Sequence, residues 1–266
     1  MTRDLISLSA FPKSGVTYLN FLLFHCLFGE DADVHDLEKR YAIDIHAHPD
    51  APFAVPGAPR LVKSHFPYDP SLPTVARTAR AVYLIRDPID VMMSAWDYAN
   101  FVRPDGAPPG DPDANPAFRP FVRAWLETGG GGFDVAGTWV GHVRSWLDQD
   151  AVPVHRVGYR ALVDHPRREL AAILAFLGLD VPAERQARAV ERSSMAVMAA
   201  LEAHEAQTGR DGVFFHPELA PGYGRGRRFV NRGYRDCYRT VLTDAERAEA
   251  DRAFGPVLRA HFPQDG

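Results

Sequence analysis

Ser7-Leu-Ser-Ala-Phe-Pro-Lys-Ser-Gly-Val-Thr-Tyr18 joins a short apolar run, residues 5–8, to an almost wholly apolar segment, residues 19–28. The first reads as a buried strand and the second as a buried helix. The turn between them, Pro12-Lys13-Ser14-Gly15, leads straight into the helix N-terminus. Such a junction binds anions. Backbone N–H groups point out of the turn, the helix dipole adds partial positive charge, and Lys13 adds a full one. Gly15 lets the backbone pass close to an anion without a side-chain clash. The turn is not a Walker A loop, because its lysine precedes the glycine by two residues. Four residues alone also suit an ordinary surface turn, so the rest of the chain has to decide.

Two further strand ends carry chemistry of the same kind. Arg60-Leu-Val-Lys-Ser-His65-Phe-Pro67 contains a brief strand around Leu61 and Val62, closed by a proline. Lys63 and His65 are two apart, so an extended chain puts them on one face. A lone histidine is more often structural, but α/β folds place their sites at strand ends, which favours a functional pair. Residues 81–85 form the clearest buried strand, running into Arg86-Asp-Pro-Ile-Asp-Val-Met-Met-Ser94. Asp87 suits the helix cap and Pro88 its first position. Arg86 and Ser94, a planar fork and a hydroxyl, suit a phosphate, although the arginine read alone fits a surface ion pair equally well.

At 266 residues with 46% apolar, 24% charged and a net charge of -4, the composition is that of an ordinary globular chain. It disfavours a general nucleic-acid scaffold, which carries a basic excess. Cys26 and Cys237 build neither a disulfide framework nor a metal site. The absence of a leader pattern and of any apolar run of about 18–20 residues gives the expectation of a cytoplasmic protein that does not enter the membrane. Only three lysines occur, Lys13, Lys39 and Lys63, in a chain otherwise using arginine. Two of them lie in these motifs, where a compact point charge is needed rather than a fork.

Residues 36–45 read as a short helix or loop. His46 and His48 raise the question of a metal, but without a third ligand they read as solvated loop histidines. Residues 102–133 and 208–228, rich in Gly, Pro and Asp, read as mobile lids over an acceptor pocket. Within the first lid, residues 116–126 carry a helical pattern (Phe118, Phe121, Val122, Trp125), and further helices are expected over 138–147, 164–177, 183–191, 194–205 and 243–260, with a strand over 151–157. Strands alternating with helices predict one domain with a parallel, doubly wound sheet.

Taken together, the motifs resemble the sulfotransferases that use 3′-phosphoadenosine 5′-phosphosulfate (PAPS). Phe11-Pro-Lys-Ser-Gly-Val-Thr-Tyr18 is similar to their 5′-phosphosulfate loop, Arg60-Leu-Val-Lys-Ser-His65 to their catalytic-histidine strand, and the segment from Arg86 to Ser94 to their 3′-phosphate motif. The resemblance spans nearly the whole chain and implies a P-loop-like α/β fold, a parallel sheet flanked by helices. It implies that Lys13, Ser14, Gly15, Val16 and Thr17 hold the 5′ end of the donor. Tyr18 would stack on adenine and Tyr159 contact its edge. Ser193 and Met195 would lie beside the nucleotide, and Arg86 with Ser94 would take the 3′-phosphate. Phe229, Arg232 and Gly233 would close from the far side. The chain departs from the family at Asn231, and at Asp236 and Tyr238, which stand where a glycine and a tryptophan are usual.

The chemistry implied is in-line transfer of a sulfuryl group to an acceptor hydroxyl, an amine being the lesser alternative. His65 would act as base, Lys13 would stabilise the leaving phosphate, Lys63 would hold sulfuryl oxygens, and Ser94 would restrain Lys13. No metal is signalled. Phe66, Tyr68, Phe101 and Phe133, with Phe214 and Phe215, are expected to line a pocket for a phenolic or natural-product acceptor, a sugar hydroxyl being next. A P-loop small-molecule kinase lacks its Gly-Lys-Ser/Thr step and Mg²⁺ ligands here. A non-catalytic nucleotide sensor is expected to lack Lys63 or His65, and both are present.

Overall fold

In the computed structural model, which describes residues 3–28, 32–48, 58–230 and 233–262, five strands form one parallel sheet. They are β1 (Leu5–Ala10), β2 (Ala42–Asp44), β3 (Arg60–Ser64), β4 (Thr78–Ile85) and β5 (Val154–Gly158), in the order β2-β3-β1-β4-β5. After β1 the chain goes to one side of it for β2 and β3, then to the other for β4 and β5. A ligand crevice is expected where the order reverses, at the carboxyl end of β1. The register brings those ends level: Ser9 pairs with Ser64, Ala10 with Leu84, Asp44 with Lys63 and Ile85 with Gly158.

The strands are apolar on both sides because helices cover both faces. Alternation along β4 divides the core in two: Val82 and Leu84 enter one cluster, Ala81, Tyr83 and Ile85 the other. Helix α1 (Val16–Leu27) belongs to the first cluster, where Leu19, Leu22 and Leu23 are fully buried. A short turn, α2 (Pro73–Ala76), precedes β4, and α3 (Pro88–Val102) follows it. Asp87 caps α3, its Oδ1 accepting from the N–H groups of Ile89 (2.8 Å) and Asp90 (3.2 Å). Helices α4 (Phe118–Thr128) and α5 (Trp139–Leu147) pack with α3 in the second cluster. After β5 come α6 (Tyr159–Asp164), α7 (Pro166–Leu177), α8 (Ala183–Arg192), α9 (Met195–Thr208) and the short α10 (Ala220–Gly224) and α11 (Cys237–Thr240). Helix α12 (Asp244–His261) closes the chain, with a capping box between Thr243 and Glu246.

Two expectations need correction. Residues 36–45 hold an edge strand, β2, after one wide helical turn at Leu37–Tyr41. Three residues are too short for a periodic signal, and pairing with β3 alone makes them a strand. Within residues 102–133 the expected helix forms as α4, but it buries Phe118, Val122 and Trp125 in the core, so this part is packed structure rather than a lid. Among the described residues no helix is long and apolar enough to cross a membrane. Nor does any group of three or more His, Cys, Asp or Glu side chains there form a candidate metal site.

Candidate active site

The turn after β1 is tight. Ser14 N–H donates to the Phe11 carbonyl (3.2 Å), and Lys13 and Gly15 both take left-handed backbone conformations, with φ of 67° and 98°. No side chain caps α1 at Gly15; the Tyr18 N–H donates to the Gly15 carbonyl (3.0 Å). A Cβ at Gly15 would lie 2.5 Å from Tyr159 Cε2, so the tyrosine ring closes down on the turn only because residue 15 is glycine.

This turn opens onto a cavity of about 320 Å³ at the crevice the topology predicts. Lys13 crosses its floor with Nζ 4.0 Å from the Tyr98 ring centroid and 4.2 Å from that of Phe229. Burial, then the charges of Lys63 and Arg86, lower the Lys13 ammonium to about 7, against an opposing pull from Asp97. Arg86 is buried and pinned to backbone, donating to the carbonyls of Lys13 (2.9 Å) and Tyr234 (2.7 Å), while its guanidinium lies 4.2 Å from the Tyr159 ring centroid. Ser94, on α3, faces the same cavity.

His65 follows the end of β3. Its Nδ1 lies 2.7 Å from the Ala10 carbonyl, which can only accept, so Nδ1 carries the proton and Nε2 the lone pair. Burial, then the Lys63 charge, hold its pKa well below the usual histidine range, and the ring is neutral. Lys63 itself is paired: its Nζ is 2.8 Å from Glu38 Oε1 and 2.7 Å from Asp44 Oδ2. These carboxylates outweigh its burial and push its pKa up.

The opposite wall hangs on two buried carboxylates of α9, three residues apart and so on neighbouring positions of one face. Glu202 accepts from the N–H groups of Phe229 (2.6 Å) and Val230 (2.9 Å). Glu205 accepts from those of Val213 (3.1 Å), Phe214 (2.8 Å) and Phe215 (3.1 Å). The 208–228 segment is therefore tied down where it carries Phe214 to the cavity.

Of the residues singled out from sequence, the cavity brings together Lys13, Gly15, Val16, Thr17 and Tyr18 with Lys63, His65, Arg86 and Ser94. Tyr159, Met195, Phe229, Gly233 and Phe133 complete the set. Ser14 and Ser193 are fully buried and do not line it. Arg232 and Asn231 fall outside the described residues. Four proposed pocket aromatics do not line this cavity; one is Phe215, buried with its ring centroid 5.6 Å from that of Tyr223. Phe101 is buried against the Tyr223 ring, 5.0 Å between centroids. Tyr68 packs edge-on against Trp146 (5.4 Å), and Phe66 lies behind His46 (4.4 Å). Each packs against another ring, which sequence adjacency to a motif does not reveal.

Sequence reasoning also missed contributors. His46 is not a solvated loop histidine: it lines the cavity, and its Nε2 accepts the His65 N–H (2.8 Å). Asp44, Tyr98, Met198 and Val135 line it as well. Tyr98 was findable, lying one helical turn beyond Ser94. Asp236, in place of the family's usual glycine, keeps a glycine-like φ of 57° and pairs with Arg160 (2.7 Å).

The donor chemistry is that of an anion site. Ser14 Oγ, Arg86 Nε and Ser193 Oγ are buried with no hydrogen-bond partner inside the chain, among the described residues. Buried polar atoms of this kind are normally satisfied; Arg86 lines the cavity, and Ser14 lies in the turn between the lining residues Lys13 and Gly15.

Residues 3–261 match a family described as "Sulfotransferase domain". "Sulfotransferase 1A1" of Canis lupus familiaris is 28% identical over 266 residues, covering 94% of this chain and 82% of that protein. The Rattus norvegicus protein of the same name is 29% identical over 213 residues, covering 73% and 67%. Among solved structures, mouse sulfotransferase SULT7A1 complexed with PAP superposes with a TM-score of 0.67 at 21% identity, covering 97% of this chain and 85% of that one. Retinol dehydratase in a complex with retinol and PAP gives 0.67 at 15%, covering 100% and 84%. At these identities the two structures share the fold.

Proposed function

Because the chain belongs to the sulfotransferase domain family, we propose that it moves the sulfuryl group of PAPS to a hydroxyl of a small-molecule acceptor. The observation that carries the reading is His65: neutral, with its tautomer fixed by Ala10, it lines the same cavity as the Lys13 ammonium. A base for the acceptor proton and a cation for the departing phosphate are the two groups such a transfer needs.

When bound, PAPS supplies the sulfuryl group and leaves as adenosine 3′,5′-bisphosphate. The partnerless donors Ser14 Oγ, Arg86 Nε and Ser193 Oγ suit its phosphates and hydroxyls, and Tyr18 and Tyr159 offer aromatic faces to adenine. His65 Nε2 takes the proton of the acceptor hydroxyl. Lys13 offsets negative charge on the leaving oxygen, and Ser94 with Arg86 binds the 3′-phosphate. The aromatic wall of Tyr98, Phe133 and Phe214 favours a phenolic or natural-product acceptor over a sugar.

The test is incubation of the purified protein with ³⁵S-labelled PAPS and a panel of phenols, alcohols, sugars and amines. Label transferred to a phenol supports the reading. Turnover of ATP with Mg²⁺ and none of PAPS overturns it, as does tight PAPS binding with no transfer to any acceptor.

A further inference from the structure

Three histidines meet at the backbone of residue 65, and only one of them has a part in the chemistry above. The His65 N–H donates to His46 Nε2 (2.8 Å). The His65 carbonyl is 3.1 Å from His142 Nε2, and since a carbonyl only accepts, His142 donates from Nε2. Its other nitrogen, Nδ1, is then the acceptor for the Tyr83 hydroxyl at 2.8 Å. With the ring Nδ1–H on Ala10, His65 is held at its amide, its carbonyl and its side chain.

We propose that His46 and His142 are positioning residues that clamp His65 from both sides and hold its Nε2 lone pair toward the acceptor; this rests on the reading of His65 as base. Each arm is itself anchored. Asp44 Oδ1 accepts from the His46 N–H (2.9 Å), while Oδ2 of the same carboxylate pairs with Lys63. The His46 ring stacks near His65, 5.6 Å between centroids at 22°. On the other side, Tyr83 is buried in β4 and His142 in α5, and the Phe11 ring lies edge-on to His142 at 5.7 Å.

The clamp requires particular protonation states. His46 must keep Nε2 bare and His142 must keep Nε2 protonated and Nδ1 bare. Burial lowers the pKa of each ring, His142 to about 4, so both are neutral, and their partners set the tautomers: the His65 N–H faces His46 Nε2, and the His65 carbonyl faces His142 Nε2. A catalytic base displaced by about 1 Å loses on the order of 10²-fold in rate, so a clamp of this kind acts on turnover rather than on donor affinity.

The test reads the histidine ring nitrogens by ¹⁵N NMR in the ligand-free protein, beside turnover with PAPS and naphthol and the affinity for adenosine 3′,5′-bisphosphate. Wild-type His65 should show a single Nδ1–H tautomer. H46L removes one acceptor, and Y83F frees His142 to turn its proton to Nδ1 without emptying the core. Both should give mixed His65 tautomers and turnover lowered by about 10- to 100-fold, with nucleotide affinity unchanged. H46Q and H142Q, which keep an acceptor or donor at the Nε2 position, should restore both readings. An unchanged His65 tautomer and rate in H46L and Y83F overturns the clamp, and so does a rate loss matched by equal loss in the Gln variants. H65Q separates the two claims: full turnover there removes the base assignment while leaving the tautomer result standing.

Discussion

Lys13 Nζ lies 4.0 Å from the ring centroid of Tyr98, with Phe229 on its other side at 4.2 Å. Helix α3 supplies Tyr98 one turn after Ser94, and the Glu202 carboxylate fixes the backbone that supplies Phe229. Rings at this range stabilise an ammonium by about 0.5–2 kcal/mol, which favours the cation at a site where burial works against it. Tyr98→Leu should therefore lower the Lys13 pKa further and reduce turnover by roughly 2- to 30-fold. Tyr98→Phe, which keeps the ring, should stay near wild type. Equal losses in both variants would point to the hydroxyl instead.

The pH profile should lack the usual histidine limb. His65 is neutral far below 6.5, so kcat/KM should not rise through that region. Lys13 is lowered to about 7 and is useful only as the cation, so kcat/KM should fall as pH rises past about 7. A bound polyanion favours the ammonium, so the fall in kcat should come at higher pH. A rising limb centred near 6.5 would contradict this account of His65.

Gly15→Ala meets two obstacles at once. A φ of 98° is strained for any L side chain by about 1–3 kcal/mol, and its Cβ would lie 2.5 Å from Tyr159. Affinity for adenosine 3′,5′-bisphosphate, read by calorimetry, should fall by roughly 5- to 150-fold, the equivalent of that strain. Retained affinity would show that the turn does not contact the nucleotide.

Lys63→Met should act on stability. The substitution leaves Glu38 and Asp44 facing each other in a largely buried site, at a cost of about 3 kcal/mol. In the wild type, pairing lowers the Asp44 pKa, giving stability that is present above about 4 and lost as the pH falls further. In the variant the unpaired carboxylates take protons more readily, so acidification should relieve the repulsion. Thermal unfolding should show a large gap between the two proteins at pH 7 that narrows toward pH 5. A gap independent of pH would contradict the triad.

Much of the site was legible because the chemistry of a strand end is written locally. Lys13 with Gly15, Lys63 with His65, and Arg86 with Ser94 are each within a few residues, and each sits where an apolar run stops. The pairing of Lys63 was not legible, because its partners come from a turn 25 residues earlier and from a three-residue strand. His46 was misjudged for the same reason. Its loop looks solvated in sequence, and only the pairing of β2 with β3 carries it to His65. Proximity to motifs points Phe66, Tyr68 and Phe101 to the pocket, whereas each packs on another ring, that of His46, Trp146 or Tyr223.

By itself the sequence determined the α/β class and the three strand ends that line the cavity, since apolar periodicity and turn residues act over a few positions. Tertiary structure alone decided how those ends are armed: Lys13 between two rings, Lys63 neutralised by two carboxylates, and His65 held by His46, His142 and Ala10. Those relationships join residues up to 216 positions apart, as Lys13 and Phe229 are, and they exist only because the parallel sheet sets its carboxyl ends level.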